Sequence, residues 1–276
     1  MRKRLPTSDG PAAKSTETDR QFVTALSRGL DVLRAFRPDD RAGLSNRDLA
    51  QRTGLPNSTV SRLTYTLMQG GYLLYDEQTG RYRIGIPVLS LGFACLGSIP
   101  MRDEAKKHMQ RLANEAGEGV QVVMAARDGP TMAYLAVARA PNSVVSIQLG
   151  VGSRVSLART ASGLAYFAGS SPAEQAEIEA ELEDHYGPEA WPERQRSLHA
   201  AKDELAARGF IADYGDWHAG VHTAAVPFPS RSEGTPNMAF AFGGPSSFLP
   251  RERIETELGP RLVEMTHSLR HHLAHG

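Results

Sequence analysis

The chain has 276 residues, 41% of them hydrophobic, with 31 basic and 31 acidic side chains and one cysteine. That length permits two ordinary domains with buried cores, while the lone thiol, Cys95, excludes a disulfide framework or a cysteine metal cluster and fits a reducing compartment. No apolar run follows the basic start MRKRLPTSDG as a secretory signal requires, and none approaches the roughly 18 residues of a membrane span, so a cytoplasmic protein without a membrane partner is expected.

The balanced total conceals an asymmetry. Up to Ile86 there are 14 basic against 9 acidic residues, and beyond it 17 against 22. A cationic front end suits contact with a polyanion. Residues 1–20, rich in Pro, Ser, Thr, Lys and Asp, have almost nothing to bury and are expected to form a disordered tail. A helix follows over FVTALSRGLDVLRAF, where Phe22, Leu26, Leu30, Leu33 and Phe36 recur at helical spacing and Pro38 ends the run.

In GLSNRDLAQRTGL, Ser45 is placed as an N-cap with Asp48 closing a capping box, Leu49 and Ala50 facing inward, and Gly54 taking a left-handed turn. The next helix opens at Pro56, or is capped by Asn57 or Ser58. Helix, glycine turn, helix is the helix-turn-helix unit. In its second helix Val60, Leu63 and Leu67 form the core stripe, leaving Asn57, Ser58, Thr59, Ser61, Arg62, Thr64 and Tyr65 to point away. Short hydroxyl and amide groups at the leading end, with an arginine one turn later, suit a helix that enters a major groove. The stretch GGYLLYDEQTGRYRIG then reads as a hairpin, with strands Tyr72 to Tyr75 and Arg81 to Ile84. Arg81 and Arg83 lie on one side of its second strand. A basic hairpin after a helix-turn-helix is the wing of a winged helix, which tracks phosphates. Candidate DNA-contacting residues are Ser45, Asn57, Ser58, Thr59, Ser61, Arg62, Tyr65, Arg81 and Arg83.

The rear half reads in order as an apolar helix from Pro87, a helix over MRDEAKKHMQRLANEAG ended by Gly117, and strands over VQVVMAARD, TMAYLAVAR and SVVSIQLG. Helices follow over ASGLAYFAG, over SPAEQAEIEAEL with Ser171 as N-cap and Glu174 closing its box, and over LHAAKDELAARG. Strands FIADY, VHTAAVPF and NMAFAFGG and a terminal helix complete the chain. Strands, helices, then strands again argue for an antiparallel sheet flanked by helices, an α+β domain. No nucleophile elbow, Walker loop or dinucleotide fingerprint occurs. His218 and His222 have metal-chelating spacing, but Gly220 between them breaks a helix, so neither metal nor cofactor is expected.

The segments LSRGLDVLRAF, LSNRDLAQRTGLPNSTVSRLTYTLMQGGYL and GRYRIGIPVLSLG resemble the DNA-binding domain of the isocitrate-lyase-regulator (IclR) family of bacterial transcription factors. The likeness runs on through VGSRVSLARTASGLAYFAG and RGFIADYGDWHAGVHTAAVPF, to cover about residues 20–272. It implies a winged helix-turn-helix over 21–86, a linker helix over 87–99 and a GAF-like effector-binding domain over 100–276, in a homodimer or tetramer that reads a pseudo-palindromic DNA operator, commonly as a repressor. It also implies an effector cavity lined by Val144, Ile147, Ala161, Ser162, Asp213, Thr223, Ala241 and Gly243. The chain departs from the family's pattern in places. Ala241 and Gly243 stand where the namesake regulator carries hydroxyls, Asp216 replaces a usual Glu, and Tyr214, Trp217, His218 and His222 cluster nearby. The family's effectors are often carboxylic acids or aromatics; a roomier wall suits a larger, flatter, aromatic ligand better than a two-carbon acid, while Asp213 and Asp216 would repel a carboxylate unless they accept ligand N–H or O–H groups, as from a phenol, amide or hydrazide. Asp213 as a turn cap, Trp217 as simple packing, and an enzyme acting on an aromatic acid derivative with a DNA-binding appendage are the competing readings.

Overall fold

The computed structural model describes residues 22–141, 147–230 and 236–275. The expected tail over 1–20 and the candidate Val144 lie outside them. The chain divides into two compact units, Met1–Phe93 and Ala94–Gly276.

The first unit holds α1 (Thr24–Arg34), α2 (Asn46–Thr53), α3 (Asn57–Gln69) and the hairpin β1 (Leu73–Asp76) and β2 (Arg81–Ile84). Its small core joins Val32, Leu44, Leu49, Val60 and Leu73, with Leu63 and Leu67 packed at the edge. The Ser45 hydroxyl accepts the Asp48 N–H at 3.2 Å and the Asp48 carboxylate accepts the Ser45 N–H at 2.9 Å, which completes the box at the start of α2. These bonds hold the Asp48 carboxyl below its ordinary range. Ser45→Ala is expected to lower the stability of this unit by about 1 kcal/mol, read as a lowered urea midpoint.

Gly54 ends α2 in the left-handed conformation. At α3 the cap differs from expectation. Pro56 occupies the N-cap, and Asn57 and Ser58 are the first two helical residues. Thr64 is also placed differently: it is buried, because its hydroxyl donates to Ser61 O within the helix at 3.1 Å and so needs no solvent. In α1 the expected apolar stripe divides. Leu33 and Phe36 pack on the core, whereas Phe22, Leu26 and Leu30 stay exposed. The helix α4 (Ile86–Gly97) buries none of its residues and exposes Ile86, Leu89, Leu91 and Phe93; the boundary between the two units falls inside it.

The second unit is a six-stranded sheet in the order β5-β4-β3-β8-β7-β6, antiparallel throughout. Its strands are β3 (Gln121–Asp128), β4 (Thr131–Arg139), β5 (Arg154–Ser156), β6 (Ile211–Asp213), β7 (Val221–Phe228) and β8 (Met238–Pro245). Helices cover both faces, which is why the central strands are apolar at nearly every position. Val122, Met124, Phe240 and Phe242 pack with α5 (Arg102–Ala116), with the π-helical turn Ile254–Leu258 and with α9 (Gly259–His275); the short α8 (Arg251–Arg253) leads into that turn. Val123, Ala125, Ala239 and Ala241 pack with α6 (Ala161–Gly169) and α7 (Pro172–Arg208), a helix interrupted at Gly187.

Three expectations change here. The third strand expected over SVVSIQLG is absent from its described part, Ile147–Gly150, and Arg154–Ser156 takes that edge of the sheet instead. Ser171 caps α7, but the Glu174 carboxylate accepts Tyr166 Oη and Asn237 Nδ2 rather than closing a box. The helices expected over SPAEQAEIEAEL and LHAAKDELAARG are the two ends of α7. Among the described residues no helix is long and apolar enough to cross a membrane.

Candidate functional site

Two surfaces carry chemistry. On α3, Ser58, Ser61, Arg62 and Tyr65 recur at i, i+3, i+4 and i+7 and all face solvent, opposite buried Val60 and Thr64. Thr59 is half-buried on the flank of this face. Asn57 is exposed at the leading end and tied to α2, since Asn46 Nδ2 donates to its carbonyl and side-chain oxygens at 3.1 and 3.2 Å. The Arg62 guanidinium has no partner among the described residues.

The arginines of the wing divide. Arg83 is exposed, with Asp76 at 3.7 Å. Arg81 is turned inward, donating to Gly43 O at 2.8 Å and lying 3.3 Å from Asp48, so it braces the wing against α2. Ser45 is likewise occupied by its cap.

The second surface is a cavity in the larger unit, on the α6 side of the sheet. Its lining joins Ile147, Ala161, Ser162, Thr223, Ala241 and Gly243 of the candidate residues to Gln121, Val123, Tyr134, Leu149, Thr160, Trp217 and Phe242. Register explains the arrangement. Arg139, Gln121, Gly243, Thr223 and Asp213 are successive cross-strand partners over five strands and form one polar row. The next row is Val137, Val123, Ala241, Ala225 and Ile211, all apolar. The sheet thus gives the cavity an apolar floor and a polar margin. Gly243 opens the middle of that margin: a Cβ there would lie 2.9 Å from Thr223 Cγ2.

The N-terminus of α6 faces the sheet across the cavity. Thr160 caps it, accepting the Gly163 N–H at 3.3 Å while donating to Ser156 O at 2.8 Å and sitting 3.1 Å from Ser162 Oγ. The N–H groups of Ala161 and Ser162, first in the helix, find no acceptor among the described residues. Thr223 Oγ1 is buried without a hydrogen-bond partner among the described residues. Burial pushes the Tyr134 hydroxyl up to about 12, so it stays a donor at neutral pH. No charged side chain is among the lining residues. The cavity volume is about 20 Å³, room for one or two waters at roughly 10–15 Å³ each.

Two candidates fall outside the lining. Asp213 is buried beneath a turn, where its carboxylate accepts the N–H groups of Gly215, Asp216 and Trp217 at 2.8, 2.7 and 3.1 Å. It shapes the turn that brings Trp217 to the cavity, and its carboxylate is already engaged there. Asp216 is exposed on that turn. His222 Nδ1 lies 2.7 Å from Leu249 O and His218 Nδ1 2.9 Å from Ala219 O, each ring on its own backbone carbonyl.

A winged helix-turn-helix with a free polar face, attached to an α+β domain holding an internal cavity, defines a DNA-binding transcriptional regulator with an effector-binding domain. The sequence pattern of the IclR helix-turn-helix domain matches residues 25–77, and that of the bacterial transcriptional regulator IclR C-terminal domain matches residues 93–269. The chain belongs to the IclR family of bacterial transcriptional regulators. It is 29% identical over 254 residues to the HTH-type transcriptional regulator TsaQ1/TsaQ2 of Comamonas testosteroni, covering 92% of this chain and 89% of the relative. The crystal structure of an IclR family transcriptional regulator from Brucella abortus superposes with a TM-score of 0.84 at 39% identity, covering 95% of this chain and 97% of that one. A Microbacterium hydrocarbonoxydans IclR homolog, crystallised with 4-hydroxybenzoate, shares the fold with a TM-score of 0.60 at 23% identity, covering 90% of this chain and all of the other.

Proposed function

We propose that this chain is a cytoplasmic repressor that releases its operator on binding a small carboxylic acid with an aromatic or apolar body. The observation that carries the effector reading is the Thr223 hydroxyl, buried without a partner at a cavity that also receives two unpaired N–H groups at a helix N-terminus. Such a hydroxyl costs stability unless something occupies it. The donors Ser162, Thr223, Tyr134 and the α6 N–H groups suit an anion, and Trp217 and Tyr134 suit a ring. With the Asp213 carboxylate outside the lining and turned to three N–H groups, the acidic repulsion expected from sequence is weakened. The 4-hydroxybenzoate held by the Microbacterium homolog is of the same chemical class.

On the DNA side, Asn57, Ser58, Ser61, Arg62 and Tyr65 of α3 enter the major groove, with Thr59 at its flank and Arg83 on phosphate. Arg81 and Ser45 serve by holding the wing and α2 in place. A second copy of the chain covers the apolar residues that α1 and α4 leave in solvent, and two recognition helices then read a pseudo-palindrome. Repression carries over from the family resemblance. With so little free volume, the cavity admits an acid only if its walls part, so the effector selects a different conformation from the closed one.

The test pairs a panel of small carboxylic acids, each with its primary amide, in thermal-shift and operator-release titrations. Thr223→Val is expected to raise the melting temperature of the free protein while weakening acid binding about 3- to 30-fold. A wild-type protein that no acid stabilises, or a Thr223→Val protein with unchanged acid affinity, would defeat the reading.

A further inference from the structure

Arg139 occupies the β4 end of the polar row, behind the cavity wall. Its Nη2 donates to Gln121 Oε1 at 2.8 Å, to Leu149 O at 2.6 Å and to Ile147 O at 3.3 Å, and all three acceptors belong to lining residues. Its Nε is buried and has no partner among the described residues. Every acceptor is neutral, and no acidic side chain among the described residues pairs with this guanidinium. A half-buried cation supported only by amide and carbonyl oxygens is under-compensated, since a carboxylate forms stronger, charge-assisted bonds with the same fork. At the far end of the row the Asp213 charge is met by three N–H groups, so the row carries a positive pole at β4 and a negative one at β6.

We propose that Arg139 is the effector's counter-ion and the latch of its cavity. The proposal rests on the acid-binding reading above. In the closed form Arg139 ties the segment Ile147–Leu149 down over the cavity through two carbonyl oxygens. An entering carboxylate takes the place of those oxygens on the guanidinium, with Gln121 beside it, and the segment lifts away. One exchange of hydrogen bonds thereby makes the room that the closed cavity lacks and selects acids over uncharged analogues. The ligand's body lies on Val123 and Ala241, its ring edge toward Trp217. Arg139 therefore reads the charge of the ligand, while Thr223 and the α6 N-terminus orient it.

The test compares wild type, Arg139→Gln and Arg139→Lys in full-length protein. Affinities for 4-hydroxybenzoate, benzoate and phenylacetate and for their primary amides are measured by calorimetry, and backbone hydrogen exchange over residues 147–150 by mass spectrometry. In wild type the acids are expected to bind at least tenfold tighter than the amides. In Arg139→Gln that preference falls to threefold or less, through loss of acid affinity of about 10- to 100-fold with amide affinity little changed, and exchange over 147–150 accelerates without ligand. Arg139→Lys keeps the charge but loses the planar fork, so it retains part of the acid preference while exchange still accelerates. An Arg139→Gln protein with the wild-type preference overturns the proposal and leaves the acid reading standing. Should that variant fail to fold, Arg139→Lys with wild-type exchange over 147–150 overturns it. Wild type that binds none of the acids defeats the effector reading first, and the latch with it.

Discussion

Arg62→Ala is expected to lower specific operator affinity by about 1–3 kcal/mol, roughly 5- to 150-fold, the discrimination that a well-placed bidentate contact to a base edge gives. The argument starts from its partners. Arg52 of α2 is held by Asp40 at 2.6 Å and by Ala35 O at 2.8 Å, and Arg81 by Gly43 O and Asp48, so both guanidinium groups already have structural work. Arg62 has no such engagement and stands one turn into α3, flanked on the same face by Ser58, Ser61 and Tyr65. Because the side chain is exposed and unpaired, its removal leaves the stability of the unit within about 0.5 kcal/mol, and lost binding is not explained by lost folding. The measurement is fluorescence anisotropy against a site selected from random-sequence DNA, with non-specific DNA as reference. Specific binding should fall while non-specific binding falls much less. Identical titrations for wild type and variant would remove α3 from the operator.

The winged unit was largely legible in the sequence because its signals are local. The Ser45 and Asp48 box, the turn at Gly54 and the hairpin around Asp76 to Gly80 each act within a few residues, so pattern and structure agree there. The errors share a cause. Polarity places Thr64 on the exposed side, yet one bond to Ser61 O within the same helix makes it tolerable in the core. The stripe of Phe22, Leu26 and Leu30 stays exposed: helical spacing marks an apolar face without saying what covers it.

The cavity was legible in part, and its less visible half is set by register. Ala161, Ser162, Thr223, Ala241 and Gly243 came from the family resemblance. Gln121 and Arg139 were missed because nothing near either residue marks it. They meet Gly243 and Thr223 only through strand pairing across more than a hundred positions, and the pairing of β3 with β4 shifts by one residue between Met124 and Ala125, where Leu135 is left over. A strand slipped by one residue presents its opposite face, so without that bulge no sequence argument places Met132 and Tyr134 on the cavity side together with Arg139. The strand expected over SVVSIQLG failed similarly. Alternation predicts a strand wherever β-branched residues repeat, but Arg154–Ser156 pairs with the Thr131–Ala133 end of β4 instead, and Ile147 and Leu149 line the cavity.

Gly163→Ala is expected to destabilise the larger unit by about 3 kcal/mol, at the upper end of the overpacking range. The first turn of α6 is seated directly on the chain before it: a Cβ at Gly163 would lie 2.0 Å from Leu157 O and 2.4 Å from Leu157 Cα. Those atoms are backbone and cannot rotate aside, so α6 must lift or Leu157 must move, and Leu157 is itself fully buried. Urea unfolding should show the transition of the larger unit shifted to lower denaturant while that of the winged unit stays in place; an unchanged midpoint would mean that α6 does not rest on Leu157. The displacement also carries the N–H groups of Ala161 and Ser162 away from the cavity, so effector affinity falls with stability. In Thr223→Val the two quantities are expected to move in opposite directions, because that substitution removes a buried hydroxyl that has no partner among the described residues and that the proposed effector would satisfy. The contrast between the variants separates a residue that holds the cavity in shape from one that is kept, at a cost in stability, for what the cavity binds.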